Sequence, residues 1–214
     1  MLIVLTGIDG SGKTTAAEAA VDAARQAGVS ALLLRNYAGR RRMSLLGASL
    51  GVQLPPRLED VIETAVRTFN VLNSHRRARM FPGLAVMDRH LHCQLALRGM
   101  KGLSRGRFLP WLLRTLPAPD LVIYLDIEPQ EAHARILARG TDSERLEDLV
   151  SLRDAYRSLP EYSGFMHINA GASPDEVLSR VQAAIASAGG QRPECFPAGP
   201  APAGPSSSGT GPDT

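Results

Sequence analysis

Lysine is almost absent from this sequence: of 24 basic residues only Lys13 and Lys101 are lysines, and the rest are arginines. Cysteine is as scarce. Cys93 and Cys195 lie far apart with no C-x-x-C spacing, which argues against a disulfide framework and a structural zinc site and predicts a reducing, cytoplasmic setting. Long hydrophobic runs are missing too. The apolar opening "MLIVL" is five residues long and meets a glycine-rich turn, so it reads as a buried strand rather than a leader or a membrane span. No other stretch is apolar enough to cross a bilayer, and no membrane partner is expected. Charge of one sign does not dominate either: 24 basic against 21 acidic residues leave a net +3, too balanced for a nucleic-acid partner held by bulk electrostatics. No internal repeat is present.

What is present is an alternation of short apolar runs with longer amphipathic segments, the pattern of a parallel sheet with crossover helices. "LIVLT", "SALLLR", "LAVMD", "DLVIYLD" and "FMHIN" read as strands. "SGKTTAAEAAVDAARQAG", "LEDVIETAVRTFNVLNSHRRARM", "QEAHARILARG" and "SPDEVLSRVQAAIASAG" read as helices, the last capped by Ser173 with Pro174 in its first turn. Residues 1–188 form one α/β domain on this reading. Residues 189–214 turn to Gly, Pro and Ser with few bulky apolar side chains, the composition of a disordered tail.

The scarce lysine explains itself at residues 7–15, "GIDGSGKTT". Gly7, Gly12, Lys13 and Thr14 fit G-x-x-x-x-G-K-[ST] between a strand and a helix, the context that makes this pattern specific for nucleoside triphosphates. Glycines let consecutive backbone N–H groups turn inward, and the following helix offers its positive end to an anion. Lys13 supplies a compact point charge that follows a phosphoryl group better than a wide guanidinium does. Thr14 is the candidate ligand for Mg²⁺ between the outer phosphates. Gly7, Ile8, Asp9, Gly10, Ser11, Gly12, Lys13, Thr14 and Thr15 are therefore the predicted ATP-binding residues. A guanine-reading N-K-x-D is absent, and a motor or transport ATPase would need a larger chain with further motifs, which leaves a small-molecule kinase.

Further motifs follow in order: "DRH" at Asp88, Arg89 and His90, "PDLVIYLD" from Pro119 to Asp126, and the arginines Arg135, Arg139 and Arg145 around "RGTDSER". With the P-loop and its acidic Asp9 they make residues 1–187 resemble the thymidylate kinase family of nucleoside monophosphate kinases. The resemblance implies a three-layer P-loop NTPase fold, a parallel sheet flanked by helices with a short arginine-bearing lid. It also implies ATP and Mg²⁺ as cofactors, nucleotide substrates, and a homodimer as the common assembly. Asp9 would orient the acceptor's sugar hydroxyl and the metal shell. Asp88, ending a strand beside the P-loop, can hold Mg²⁺ through water, and Arg89 can clamp the acceptor's phosphate with two hydrogen bonds. Arg135, Arg139 and Arg145 would bring positive charge to the transferring group from the lid. His90, His92 and Cys93 lack further ligands for zinc and read as packing or supporting groups.

The acceptor end departs from the family's pattern. Arg35 falls near the acceptor's phosphate and Tyr37 near the acceptor itself. The family's F-x-x-x-R, an aromatic that stacks on the base and an arginine that bonds it, falls on Phe69 and Asn73, with Arg76 or Arg77 as alternative sources of the arginine. Cys93, Leu97 and Arg98 replace polar and aromatic groups of the nucleotide pocket. The expected reaction is phosphorylation of dTMP. Its rivals are a family member retuned for another small-molecule or modified-nucleotide acceptor, and a nucleotide-binding regulator that transfers nothing.

Overall fold

The apolar runs pair as one parallel sheet in a computed structural model that describes residues 1–36, 56–140 and 144–190. Its five strands are β1 (Leu2–Thr6), β2 (Ala31–Arg35), β3 (Leu84–Asp88), β4 (Leu121–Asp126) and β5 (Met166–Asn169), in the order β2-β3-β1-β4-β5. Parallel neighbours cannot be joined by tight turns, so helices make the crossovers. They are α1 (Lys13–Gln26), α2 (Pro56–Arg79), α3 (Leu91–Met100), α4 (Phe108–Thr115), α5 (Pro129–Arg139), α6 (Leu146–Arg157) and α7 (Pro174–Gly190). The central strand is sequestered on both faces, with Ile3, Val4 and Leu5 wholly buried, which explains its unbroken apolar sequence. The main core cluster includes Val86, Leu95, Leu125, Leu149 and Val181, and Val4, Leu34, Ala85 and Met87 form a smaller one.

The expected strands and helices all form, within a residue or two of their expected ends. Ser173 Oγ accepts the Glu176 amide at 3.3 Å and Pro174 opens α7, as its sequence predicts. This helix continues to Gly190, beyond the expected domain boundary at 188; residues 191–214 lie outside the described residues. α3 and α4 are not among the helices expected from the sequence. Seven consecutive residues of α3, Leu91–Leu97, are buried because the helix packs between α2, α4 and α6. A helix covered on most sides shows no apolar stripe.

Strand register aligns the loops that carry polar side chains. Leu5 pairs with Asp88 and Thr6 with Tyr124, so β1 and β3 end within a residue of each other and β4 runs two residues further. The loops that leave these three ends open onto one crevice, where ligands of such sheets sit.

Candidate active site

The P-loop leaves β1 at Thr6 and returns as α1. Gly10 has φ +83°, and a Cβ there would lie 2.5 Å from the Ala132 carbonyl oxygen of α5, so the close approach of loop and helix requires glycine. Gly12, at φ +81°, turns the chain into the helix as its N-cap. Lys13 is only 4% exposed, because its side chain folds back over the loop. Its Nζ donates to the Ile8 carbonyl at 2.6 Å and to Ser11 Oγ at 3.4 Å, and lies 3.6 Å from Asp9. Burial lowers the Lys13 pKa and Asp9 works against that fall. Of residues 7–15, all but Ile8 line the cleft; Ile8 is wholly buried in the core.

Two contacts join the P-loop to the end of β3. Thr14 Oγ1 donates to Asp88 Oδ2 at 2.6 Å, and Arg89 is ion-paired with Asp9. Burial alone would raise the Asp9 pKa, but Arg89 and then Lys13 hold its carboxyl well below the usual range. The same pairing lifts Arg89 above its ordinary value against the effect of burial. Arg89 has φ +72°, the one left-handed non-glycine among the described residues. Such a conformation costs about 1–3 kcal/mol and persists where the surroundings enforce it. Here the Arg89 amide bonds the Leu5 carbonyl at 3.0 Å, Asn36 Nδ2 bonds the Arg89 carbonyl at 2.6 Å, and Ser74 Oγ of α2 bonds Asn36 Oδ1 at 2.8 Å. The strain turns the guanidinium over the P-loop.

Thr14 and Asp88 fit a magnesium ion. Asp88 Oδ1 is buried with no hydrogen-bond partner, and a hard carboxylate oxygen beside a threonine hydroxyl suits that cation. Among the described residues no group of three His, Cys, Asp or Glu side chains could hold a metal. Magnesium bound here would therefore take most of its ligands from phosphates and water, its usual habit.

The cleft has a volume of about 960 Å³, near the upper end for small-molecule sites. Arg135 and Arg139 of α5 line it, Arg135 being held by the Ala170 carbonyl at 2.9 Å and Glu131 at 2.7 Å. Arg145 does not. It is 76% exposed and paired with Glu147 at 3.0 Å. Residues 141–143 of the expected lid lie outside the described residues, as does Tyr37.

The acceptor end corrects the sequence reading most. Phe69 is 69% exposed and Asn73 is exposed, both on the outer face of α2, away from the cleft. Arg76 and Arg77 are exposed as well. Arg67 turns inward instead, 7% exposed, with its terminal nitrogen 2.6 Å from Glu63 Oε1. Residues two apart on a helix point in nearly opposite directions, so the register at Phe69 chose the wrong face. Arg35 pairs at the surface with Glu18, and Arg98 Nε bonds the Ser104 carbonyl at 3.1 Å; neither lines the cleft. Arg67, Arg89 and Cys93 line both the cleft and a recess of about 10 Å³ behind it. Gln94 lines that recess, its amide donating to Thr64 Oγ1 at 2.8 Å while its buried Oε1 has no hydrogen-bond partner. Neither Arg67 nor Gln94 was singled out from sequence. Arg67 stands one helical turn after Glu63, and that oppositely charged i, i+4 pair was the available signal.

The floor is set by α3 and α6. Tyr156 Oη donates to Cys93 Sγ at 2.8 Å and accepts from Thr6 Oγ1 at 2.9 Å, while Cys93, Leu97 and Tyr156 line the cleft. Arg153 ties α6 to the end of β4, Nε to Asp126 at 2.9 Å and a terminal nitrogen to Glu128 at 2.6 Å. Behind the acceptor end His75, His90 and His92 form a buried chain of ring contacts, with nitrogens 2.8 and 3.3 Å apart. The burial of His90 and His92 fits their reading from sequence as packing groups, and His75, not singled out there, joins them.

The sequence is similar to those of known proteins. The thymidylate kinase family model matches residues 5–181. A protein of Pyrococcus abyssi named a probable thymidylate kinase is 33% identical, over 86% of this chain and 94% of its own length. A thymidylate kinase of Xanthomonas campestris is 29% identical over 88% of this chain and 84% of its own, and a probable thymidylate kinase of Pyrobaculum aerophilum 28% identical over 84% and 93%. With a complete P-loop on one side of the cleft and an inward-facing Arg89 on the other, this chain belongs to the thymidylate kinase family of nucleoside monophosphate kinases.

Proposed function

We propose that the protein transfers the γ-phosphoryl group of ATP to dTMP, giving dTDP and ADP. One observation carries the choice of base. Beyond Arg89 the cleft is lined by a donor, the Arg67 guanidinium, and the small recess that Arg67 shares with Gln94 holds an acceptor without a hydrogen-bond partner, Gln94 Oε1. Thymine offers a carbonyl oxygen next to a ring N–H, the complement of that pair; cytosine offers the reverse, an amino donor next to a bare ring nitrogen. Buried polar groups left unpaired by the wrong base cost about 1–3 kcal/mol each.

Each residue of the phosphate end then has work that does not depend on the base. The P-loop amides and Lys13 hold the donor phosphates, and Arg89 grips the acceptor phosphate whose oxygen attacks the γ-phosphorus. As the bond to the bridging oxygen breaks, Lys13 on one side and Arg135 and Arg139 on the other offset the charge that gathers there. Asp9 orients the acceptor and, in its absence, keeps Arg89 over the P-loop. Magnesium held at Thr14 and Asp88 would neutralise charge between the outer phosphates.

The outer face of α2 supports a homodimer. Val61, Val66, Phe69 and Leu72 stand there at 61, 36, 69 and 39% exposure, a contiguous apolar stripe of the kind that marks an interface. A cytoplasmic enzyme agrees with the free thiol of Cys93, and among the described residues no helix is long and apolar enough to cross a membrane. Residues 1–188 form the catalytic domain on this reading, with 189–214 an appended tail.

The test is ADP release across a panel of monophosphates. dTMP is expected to be the best acceptor, dUMP to follow because it carries the same edge, and dCMP to fall at least about tenfold lower in kcat/KM. Equal turnover of dCMP and dTMP would contradict the assignment.

A further inference from the structure

Lys101, the second of the chain's two lysines, has no part in the phosphate chemistry, yet it also meets a carboxylate beside the cleft. Its Nζ lies 3.6 Å from Glu63 Oε2, and Glu63 Oε1 takes the Arg67 nitrogen at 2.6 Å. Glu63 is 5% exposed and Arg67 7%, so both charges have left water. Burying an ion pair brings little net stability, and apolar groups of the same volume often serve the fold equally well. What the pair supplies is direction. Arginine has four side-chain torsions, and a guanidinium that must meet a base edge at hydrogen-bond distance gains from a fixed partner one turn earlier on the same helix.

We propose that Glu63 is a positioning residue for acceptor choice, holding the Arg67 guanidinium at the base-reading end of the cleft while Lys101 braces the carboxylate from the end of α3. Glu63 does not line the cleft and would act through Arg67, which does. Lys101 is the minor partner, since it is 36% exposed and its contact is long. The inference rests on Arg67 facing the acceptor base, and the experiment separates the two ideas.

Steady-state kinetics with dTMP and dCMP, the ATP KM and the melting temperature are measured for wild type, R67A, E63A, E63Q and K101M. Without Glu63 the arginine loses its bearing but stays in place. E63A is therefore expected to raise the dTMP KM by about tenfold or more, to keep kcat within about threefold, to leave the ATP KM unchanged, and to lower the dTMP to dCMP preference by about tenfold. E63Q, which keeps an acceptor oxygen on the same atoms, is expected to recover part of that preference, and K101M to change it by less than about threefold. If R67A leaves the preference unchanged, the base reading itself fails. If R67A abolishes the preference while E63A and E63Q keep it, Arg67 needs no guide and the role of Glu63 is overturned. A fall in melting temperature with the preference intact would make the pair a structural brace only and overturn it too. Should E63A not fold, the decision falls to E63Q, whose preference must drop below wild type.

Discussion

The two ends of the cleft are built differently. The phosphate end is made from one run of nine residues, 7–15, and from residues at the ends of β1 and β3. Much of it is backbone, fixed by glycine turns and by strand register. The base end is made of side chains from α2 and α3, Arg67 and Gln94, and its chemistry depends on how each helix is rotated about its axis. A loop whose backbone does the binding tolerates little variation, whereas a wall of side chains can be rebuilt one position at a time. Phosphoryl transfer is thus the steady part of this protein, and acceptor choice the adjustable part.

The largest expected effect breaks the steady part. Lys13→Ala should lower kcat by about a thousandfold or more, since a preorganised cation at a transferring phosphate is worth several kcal/mol. Because the side chain is buried on the Ile8 carbonyl, a stability loss of about 1 kcal/mol should accompany it. A melting curve and a rate at saturating substrates check both. Next in size, Thr14→Ala or Asp88→Asn should cost about 10- to 100-fold and shift the Mg²⁺ dependence to higher concentrations. An unchanged Mg²⁺ titration in both would remove the ion from this site.

Acid should separate the two ends. Residues 7–15 contain no histidine, whereas His92 supports the base end, and its pKa is pushed down from 6.5 to about 4, chiefly by burial. The unfolded chain therefore binds a proton that the folded one refuses between those values. Stability from this residue is complete above pH 6.5 and falls as the pH drops toward 4, by about 3 kcal/mol in all. Urea unfolding at pH 7.5 and 4.5 should display that fall, and His92→Phe should reduce it, leaving the part contributed by His75 and His90, which burial also pushes down. The smallest effect belongs to the outer face of α2. Phe69→Ser and Asn73→Arg should leave kcat/KM and acceptor ranking within about twofold, since neither residue reaches the cleft, but Phe69→Ser should weaken self-association in sedimentation experiments.

The same contrast explains what the sequence disclosed. Strands such as Leu84–Asp88 were legible because continuous apolar runs bounded by turns have few alternatives, and the P-loop because its chemistry needs those residue types in that order. α3 was not, since burial around most of its surface erases the period that would have announced it. At the base end a pattern of aromatic and arginine spacing was carried onto α2 without knowledge of its rotation. Each residue turns a helix by about 100°, so Phe69, two places from Arg67, faces outward. Arg35 and Arg98 failed for another reason: a long arginine finds the nearest oxygen, here Glu18 and the Ser104 carbonyl. Nothing in sequence spacing forecasts those partners.

A complete phosphate end should act on the monophosphate whose base fits the Arg67 and Gln94 pair. That expectation is tested most directly by incubating the protein with ATP, Mg²⁺ and dTMP and quantifying both products by ion-exchange chromatography. One dTDP for each ADP formed, with negligible ADP when dTMP is omitted, is the predicted result. ADP without dTDP, or no ADP above background with dTMP while another monophosphate is consumed, would contradict it.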